Sequence, residues 1–293
     1  MISILIPCYD YNAYPLVSIL EKQALILNID FEIICIDDGS FSSKNEVNQK
    51  INHLTNCKFL EAKKNIGRIR NRILLASTAQ YKSLIYVDVD TTPNNDFLKN
   101  YIKLIDKRPL IFGGCRYEKS TLHHDNRLRY EFGKKREEIN CDKRNKSPYK
   151  FVSSRNFMAE KEILFPILSA ITNSSYGNDY IFGSILKTKK IEIFHIDNEV
   201  EINEIEKNKI FIENTENALN NLFKNYKENK IKNHSITVLS AFIFLEKLLL
   251  KNLFLTITGL FKNLIKNNLN SQKPNLFLFD IFRLTYLCEI KNS

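Results

Sequence analysis

Two stretches decide the fold: Ile33-Ile34-Cys35-Ile36-Asp37-Asp38-Gly39-Ser40 and, further along, Leu84-Ile85-Tyr86-Val87-Asp88-Val89-Asp90. Each is a short apolar run that ends in carboxylates. A continuous apolar run bounded by turn residues reads as a strand buried on both faces. Outward from these two, short apolar runs alternate with helical patterns. Residues 2–6 read as a strand, and 13–27 as a helix with Leu16, Ile19, Leu20 and Ala24 at helical spacing. Strands are expected at 31–36, 57–60, 84–87 and 110–112, with helices at 46–54, 67–79 and 95–105. Alternating strands and helices imply an α/β fold, with a mainly parallel central sheet flanked by helices. Ligands of such sheets sit beyond the carboxyl ends of the strands. The residues just after each strand are therefore the ones to watch.

The second half is less regular. Between residues 116 and 150 Lys and Arg dominate and no clear period survives. That composition fits a solvated mobile loop or a basic flap over an anionic substrate. Strands are expected at 151–158 and 191–196, short helices at 160–165 and 179–187, and a polar helix at 204–227. Residues 235–266 read as one long apolar helix, roughly 45 Å in length, interrupted by Glu246, Lys247, Lys251 and Lys262. No uncharged apolar stretch there reaches the ~18 residues of a membrane span. It suits a basic amphipathic helix on a membrane surface, or one packed on the globular body. A helix at 275–287 closes the chain. The division expected is a domain over 1–203 and a helical C-terminal extension over 204–293.

The 293 residues carry 43 Lys and Arg against 33 Asp and Glu, a formal charge of +10. A basic balance favours an anionic partner: nucleotide phosphates, nucleic acid or an anionic membrane face. Trp is absent, and aromatics are not interleaved with the basic run as a nucleic-acid stacking surface needs. No nucleic-acid partner is expected. The 6 cysteines are scattered singly, without the spacing of a zinc ribbon or a redox pair. The start of the chain has no basic region or small-residue cleavage site, so a cytoplasmic protein is expected.

Neither G-x-x-x-x-G-K-[ST] nor a G-x-G-x-x-G after the first strand occurs. The strand ends carry acids instead. In Asp37-Asp38-Gly39-Ser40 the glycine permits a sharp turn, and a carboxylate can accept from a base N–H or from ribose hydroxyls. Taken by itself, this is an ordinary turn with a capping acid. Asp88 and Asp90 are alternate residues, which on an extended segment point the same way. Paired carboxylates make a hard oxygen site for Mg²⁺ or Mn²⁺. Asn65-Ile66-Gly67-Arg68, followed by Arg70, Asn71 and Arg72, opens a helix and suits a phosphate. Asp179 sits in the first turn of a helix, where it is either a general base or a partner of the helix dipole. His195, at a strand end, is either structural or a metal or phosphate ligand.

The order of these pieces resembles glycosyltransferase family 2, whose fold is of the GT-A type. The likeness covers roughly residues 1–200. It implies that Pro7, Tyr9 and Asp38 line a nucleoside site and that Gly67 and Arg68 form the next nucleotide-contacting segment. It further implies that Asp88 lies near the ribose and diphosphate, with Asp90 the principal metal ligand. By the same resemblance Asp179 is the catalytic base, and His195 touches the metal or the diphosphate. Mn²⁺ or Mg²⁺ is the implied cofactor, a UDP-sugar the donor, and a glycan or lipid-linked hydroxyl the acceptor. The reaction implied is inverting transfer in cell-surface polysaccharide synthesis; the basic amphipathic helix expected at 235–266 fits a peripheral place at the inner face of the membrane. Three departures stand out: Asn178 where the family often has Glu, a shortened 67–72 segment, and Thr91 where many members carry a third acid. Two other readings remain. One is a sugar nucleotidyltransferase, which usually has a Gly-rich basic loop after the first strand. The other is a non-catalytic basic membrane-surface or nucleotide-binding protein on a degenerate GT-A fold.

Overall fold

The computed structural model of the chain describes residues 1–171 and 176–290. Its strands are β1 (Ile2–Cys8), β2 (Phe31–Asp37), β3 (Cys57–Glu61), β4 (Ser83–Val87), β5 (Thr91–Pro93), β6 (Leu110–Phe112), β7 (Cys115–Arg116), β8 (Asn156–Glu160), β9 (Phe194–His195) and β10 (Val200–Ile202). The helices are α1 (Tyr14–Ile26), α2 (Lys44–Asn48), α3 (Arg68–Thr78), α4 (Phe97–Ile102), α5 (Arg127–Phe132), α6 (Cys141–Lys146), α7 (Lys161–Ser169), α8 (Asn178–Thr188), α9 (Asn208–Lys227), α10 (Thr237–Lys247), α11 (Lys251–Leu260), α12 (Lys262–Leu269) and α13 (Leu276–Glu289).

Seven strands form the main sheet in the order β3-β2-β1-β4-β8-β6-β9. β1, β2, β3 and β4 run parallel, and β8 is antiparallel to both of its neighbours, β4 and β6. A small second sheet, β5-β10-β7, lies beyond the end of β4. The apolar runs are continuous because both faces are covered. Ile4, Ile6, Ile33, Cys35, Ile85 and Val87 join one core, with α1 and α4 over it. Their neighbours Leu5, Ile34, Ile36, Leu84 and Tyr86 join the other. Tyr86 and Phe157 stack there across β4 and β8, with ring centroids 4.9 Å apart.

That second core also takes in Leu219 and Leu222 of α9, Leu239 and Phe242 of α10, and Leu287 of α13. Part of the helical extension after residue 203 therefore shares a core with the sheet, while Phe211, Ile265, Leu269 and Phe279 form a separate cluster with Leu128 of α5. The long helix expected over 235–266 is three helices. The break between α10 and α11 falls at Leu249, whose φ of +57° takes it into the left-handed region, a conformation no α-helix continues through. The basic 116–150 stretch is likewise not a solvated flap. It contains α5 and α6, and Arg129 and Arg144 are buried. Arg144 donates to the carbonyls of Ile196 at 2.7 Å and Ile139 at 2.8 Å, so its charge serves to close off chain ends. Among the described residues no helix is long and apolar enough to cross a membrane.

Candidate active site

The carboxyl ends of β1, β2 and β4 lie side by side, and the turns after them carry the acids. Asp37 is fully buried and closes the first turn, accepting from the Ser40 backbone N–H at 2.8 Å and from its hydroxyl at 2.7 Å. Gly39 has a φ of +66°, and a Cβ added to it would lie 2.3 Å from the Lys64 carbonyl carbon. No other residue fits both the conformation and the space. The Asp38 carboxylate accepts from the backbone N–H of Ile66 at 2.8 Å and of Gly67 at 2.9 Å. Burial pushes its pKa up, while those two hydrogen bonds act in the opposite direction. Asp38 thus anchors the loop that leads into α3 and consumes two donors of that helix start. Pro7 is half-buried on β1 opposite Ile36. Tyr9 stands 56% exposed on the following loop, free to cover a ligand.

α3 aims its arginines differently from a plain phosphate cradle. Arg68 is exposed and lies 4.7 Å from the centroid of the Tyr176 ring. Arg72 is buried, and its Nη2 donates to Asp88 Oδ1 at 2.5 Å. Tyr86 fixes that turn of the helix by donating its hydroxyl to the Arg72 carbonyl at 2.6 Å.

Asp88, Val89 and Asp90 form a turn between β4 and β5, pinned where the Thr91 hydroxyl donates to the Asp88 carbonyl at 2.7 Å. The segment is not extended as expected, yet the two carboxylates still act on each other. Burial raises the Asp88 pKa to about 6, and Asp90 adds to the rise, while Arg72, Arg155 and Arg68 pull it down. A carboxylate held near neutrality is a functional-site signature. The Asp90 carboxylate has no hydrogen bond or ion pair among the described residues.

Asp179 enters from the other side. It lies in the first turn of α8, and its Oδ1 accepts from the Ser154 backbone N–H at 3.1 Å. The next residue, Arg155, accepts at its carbonyl from the Asp88 N–H at 2.9 Å. One dipeptide ahead of β8 therefore clamps both Asp88 and Asp179. Asn178 plays a different part. Its Oδ1 accepts from Asn221 Nδ2 at 3.2 Å and ties the start of α8 to α9.

His195 is not brought to these acids. It lies on β9, in register through Phe112 and Phe157 with Tyr86. Three strand spacings put it roughly 14 Å from β4. It is 1% exposed, with Nε2 3.0 Å from the Pro148 carbonyl and Nδ1 3.3 Å from Arg144 Nη1. A ring that donates from Nε2 and accepts at Nδ1 has no lone pair left for a metal. Burial depresses its pKa to about 4, so it stays neutral. Its role is to fasten the 144–148 turn to the sheet.

Among the described residues no group of three or more His, Cys, Asp or Glu side chains converges as a closed metal cage. The donor set fits another kind of site. Mg²⁺ and Mn²⁺ are often held by one or two carboxylates, with substrate phosphates and water completing the shell. The unengaged Asp90 suits that use. Asp88 suits it less, because Arg72 already occupies Oδ1.

Several participants carry no signal in the sequence. Arg155 faces both acids, and Glu137 lies within 3.5 Å of Arg155 and 3.1 Å of Arg129. Burial opposes its charge, but the two guanidinium groups hold the Glu137 carboxyl down at about 2. Tyr117 also donates its hydroxyl to Glu137. Only the antiparallel pairing of β8 with β4 places Arg155 beside Asp88, and no local motif announces that pairing. A cleft of about 280 Å³ opens beside Val89, with Tyr11, Asn12, Lys44, Asn203 and Glu204 in its wall.

The sequence profile described as Glycosyl transferase family 2 matches residues 3–165. No curated protein matches the chain. Among solved structures, S. aureus TarS 1-349 superposes with a TM-score of 0.52 at 16% identity, covering 80% of this chain and 66% of that one. S. aureus TarS 1-349 in complex with UDP-GlcNAc superposes with the same TM-score and identity, covering 80% and 67%. The chain spans about two-thirds of the length of these structures, and the likeness is one of fold.

Proposed function

This chain belongs to glycosyl transferase family 2, and from that premise we propose that it moves a sugar from a nucleoside-diphosphate donor, a UDP-sugar, to a hydroxyl of a glycan or lipid-linked acceptor with inversion at the anomeric carbon. The observation that carries the reading is the clamp of residues 154 and 155 on Asp88 and Asp179. It sets the charge-tuned pair of Asp88 and Asp90 and a third, separately held carboxylate, Asp179, around one strand end.

In this reading Pro7, Tyr9 and the loop anchored by Asp38 receive the nucleoside. Gly67 lets that loop enter α3, and Arg68 and Arg155 offset phosphate charge. Asp88, oriented by Arg72, accepts from ribose or faces the diphosphate. Asp90 holds Mn²⁺ or Mg²⁺, which when bound neutralises the charge that builds on the leaving diphosphate. Asp179 takes the proton of the acceptor hydroxyl as its oxygen attacks. The Ser154 N–H fixes the orientation of that carboxylate, so little ordering is left for the reactive encounter. The retention of all three acids weighs against a degenerate, non-catalytic relative. UDP-GlcNAc, the ligand of the TarS complex, is the first donor to try. The setting we propose is cell-surface polysaccharide synthesis at the cytoplasmic face of the membrane.

The test is release of nucleoside diphosphate from a panel of nucleotide sugars, with and without Mn²⁺. Metal-dependent release of UDP from at least one donor supports the reading. Pyrophosphate released from a nucleoside triphosphate, with no diphosphate from any donor, replaces it with nucleotidyl transfer.

A further inference from the structure

The first residue of α3 reaches across to the segment that leads into α8. Arg68 follows Gly67, whose N–H is bound by Asp38 at 2.9 Å, so the backbone at this helix start is fixed. The Arg68 Cζ lies 4.7 Å from the centroid of the Tyr176 ring, within the range of a cation–π contact. The acids of the β4 strand end act on the same group. Desolvation opposes the Arg68 charge, whereas Tyr176, Asp88 and Asp90 favour it, and the net effect raises its pKa. One guanidinium is thus shared by an aromatic ring and an acid pair.

Tyr176 is fastened where it stands. Its carbonyl accepts from Asn221 Nδ2 at 3.0 Å, and the same amide donates to Asn178 Oδ1 at 3.2 Å. Asn221 is buried, and its own Oδ1 accepts from Asn225 Nδ2 at 2.8 Å. α9 therefore grips the chain on both sides of Gly177. That glycine has a φ of +84°, and a Cβ added to it would lie 2.9 Å from the Ala218 Cβ, so the turn is seated tightly on α9. Asp179 follows in the first turn of α8. The Tyr176 ring is 37% exposed. An arginine left loose beside two carboxylates folds onto them or ranges through solvent, and either state costs affinity when a phosphate has to recruit it. A ring anchored on α9 removes both alternatives.

We propose that Tyr176 is a positioning residue for the donor: its ring holds the Arg68 guanidinium ready for the diphosphate and keeps it off the carboxylates of Asp88 and Asp90. This rests on the reading of the β4 strand end as a nucleotide-sugar site. Tyr176 and Asp179 share one anchored segment, so the arginine that meets the donor and the base that serves the acceptor are set by the same turn. The face of the ring supplies the attraction, and a ring without the hydroxyl keeps it.

The test is calorimetric binding of UDP, at one fixed Mn²⁺ concentration, to the wild-type chain, Tyr176→Ala, Arg68→Ala and the double variant. Tyr176→Ala is expected to weaken UDP binding by about three- to tenfold. It should cause no further loss in the Arg68→Ala background, because a residue that acts only through Arg68 then has nothing left to position. Tyr176→Phe should bind UDP within about twofold of the wild type, whereas Tyr176→Leu, which keeps bulk without a ring, should match Tyr176→Ala. Should Tyr176→Ala lose its fold, Tyr176→Leu carries the same cycle. UDP binding that Tyr176→Ala leaves unchanged, or an equal loss with and without Arg68, overturns the proposal alone. Absence of UDP binding to the wild type overturns the nucleotide-sugar reading, and the proposal with it.

Discussion

Arg72 Nη2 lies 2.5 Å from Asp88 Oδ1, and this contact ties the interior of α3 to the turn that carries both acids of the strand end. Arg72 is one of three arginines that lower the pKa of a carboxyl group that burial and Asp90 raise. Asp88 is therefore poised, its charge depending on guanidinium groups supplied by α3 and by the segment before β8.

That poise has a pH signature. The Asp88 pKa of about 6 in the folded chain stands above the ordinary carboxylate value. Its contribution to stability is full below the unfolded pKa and is lost as pH rises through about 6. Donor binding, which needs the charged form, should move the other way and strengthen as pH rises through the same window. Calorimetric titration of a nucleotide sugar at stepped pH is expected to show a midpoint near 6. Arg72→Met should displace the midpoint upward. A flat profile, or an unmoved midpoint in the variant, would remove Asp88 from donor binding.

Asp179→Asn keeps an oxygen that can accept from Ser154, so the start of α8 should be preserved. The base is lost. Turnover should fall by about 10²–10⁴ while donor affinity changes by less than about threefold. Single-turnover kinetics with a competent acceptor separate the two quantities. Turnover close to wild type would assign the proton to another group.

His195→Ala should leave the metal dependence of donor binding untouched and act on stability instead. It removes a buried ring that touches Arg144 and the Pro148 carbonyl, at a cost of about 2 kcal/mol. Because burial depresses the His195 pKa to about 4, its stabilisation is present above the ordinary histidine value and is lost as pH falls toward 4. Urea unfolding near neutral pH and near pH 4 should show a smaller wild-type to variant difference at the acid end. A changed metal affinity in the variant would return His195 to the site.

Gly39→Ala should be more damaging than any substitution at Ser40. The new methyl would meet Lys64 backbone at a φ of +66°, and the loop bound by Asp38 would have to shift. A loss of about 2 kcal/mol or more is expected in equilibrium unfolding, together with weaker donor binding. An unaffected variant would show that this loop does not shape the nucleoside site.

The sheet is legible in the sequence because its strands are buried on both faces and end abruptly in acids. The runs before Asp38 and Asp88 are unmistakable for that reason, and the strand expected at 110–112 matches β6 to the residue. Asp88, Asp90 and Asp179 are legible as strand-end and helix-start acids. Their joint clamp by Ser154 and Arg155 is not, because β8 is an antiparallel insertion that joins distant parts of the chain. The basic 116–150 stretch misleads because charge usually means solvent, whereas Arg129 and Arg144 are buried against carbonyls, a tyrosine and Glu137. The long apolar run after residue 235 misleads because composition carries no sign that Leu249 turns left-handed. Order along the chain groups His195 with the acids, but three intervening strand spacings separate it from them.

The most direct measurement is calorimetric binding of UDP-GlcNAc and other UDP-sugars to the wild-type chain and to Asp90→Ala, each with Mn²⁺ and with chelator. The expected result is binding to the wild type that Mn²⁺ strengthens by at least tenfold, and no gain from Mn²⁺ in Asp90→Ala. Equal Mn²⁺ enhancement in both proteins, or no binding of any UDP-sugar to the wild type, would contradict the assignment of the β4 strand end as the donor site.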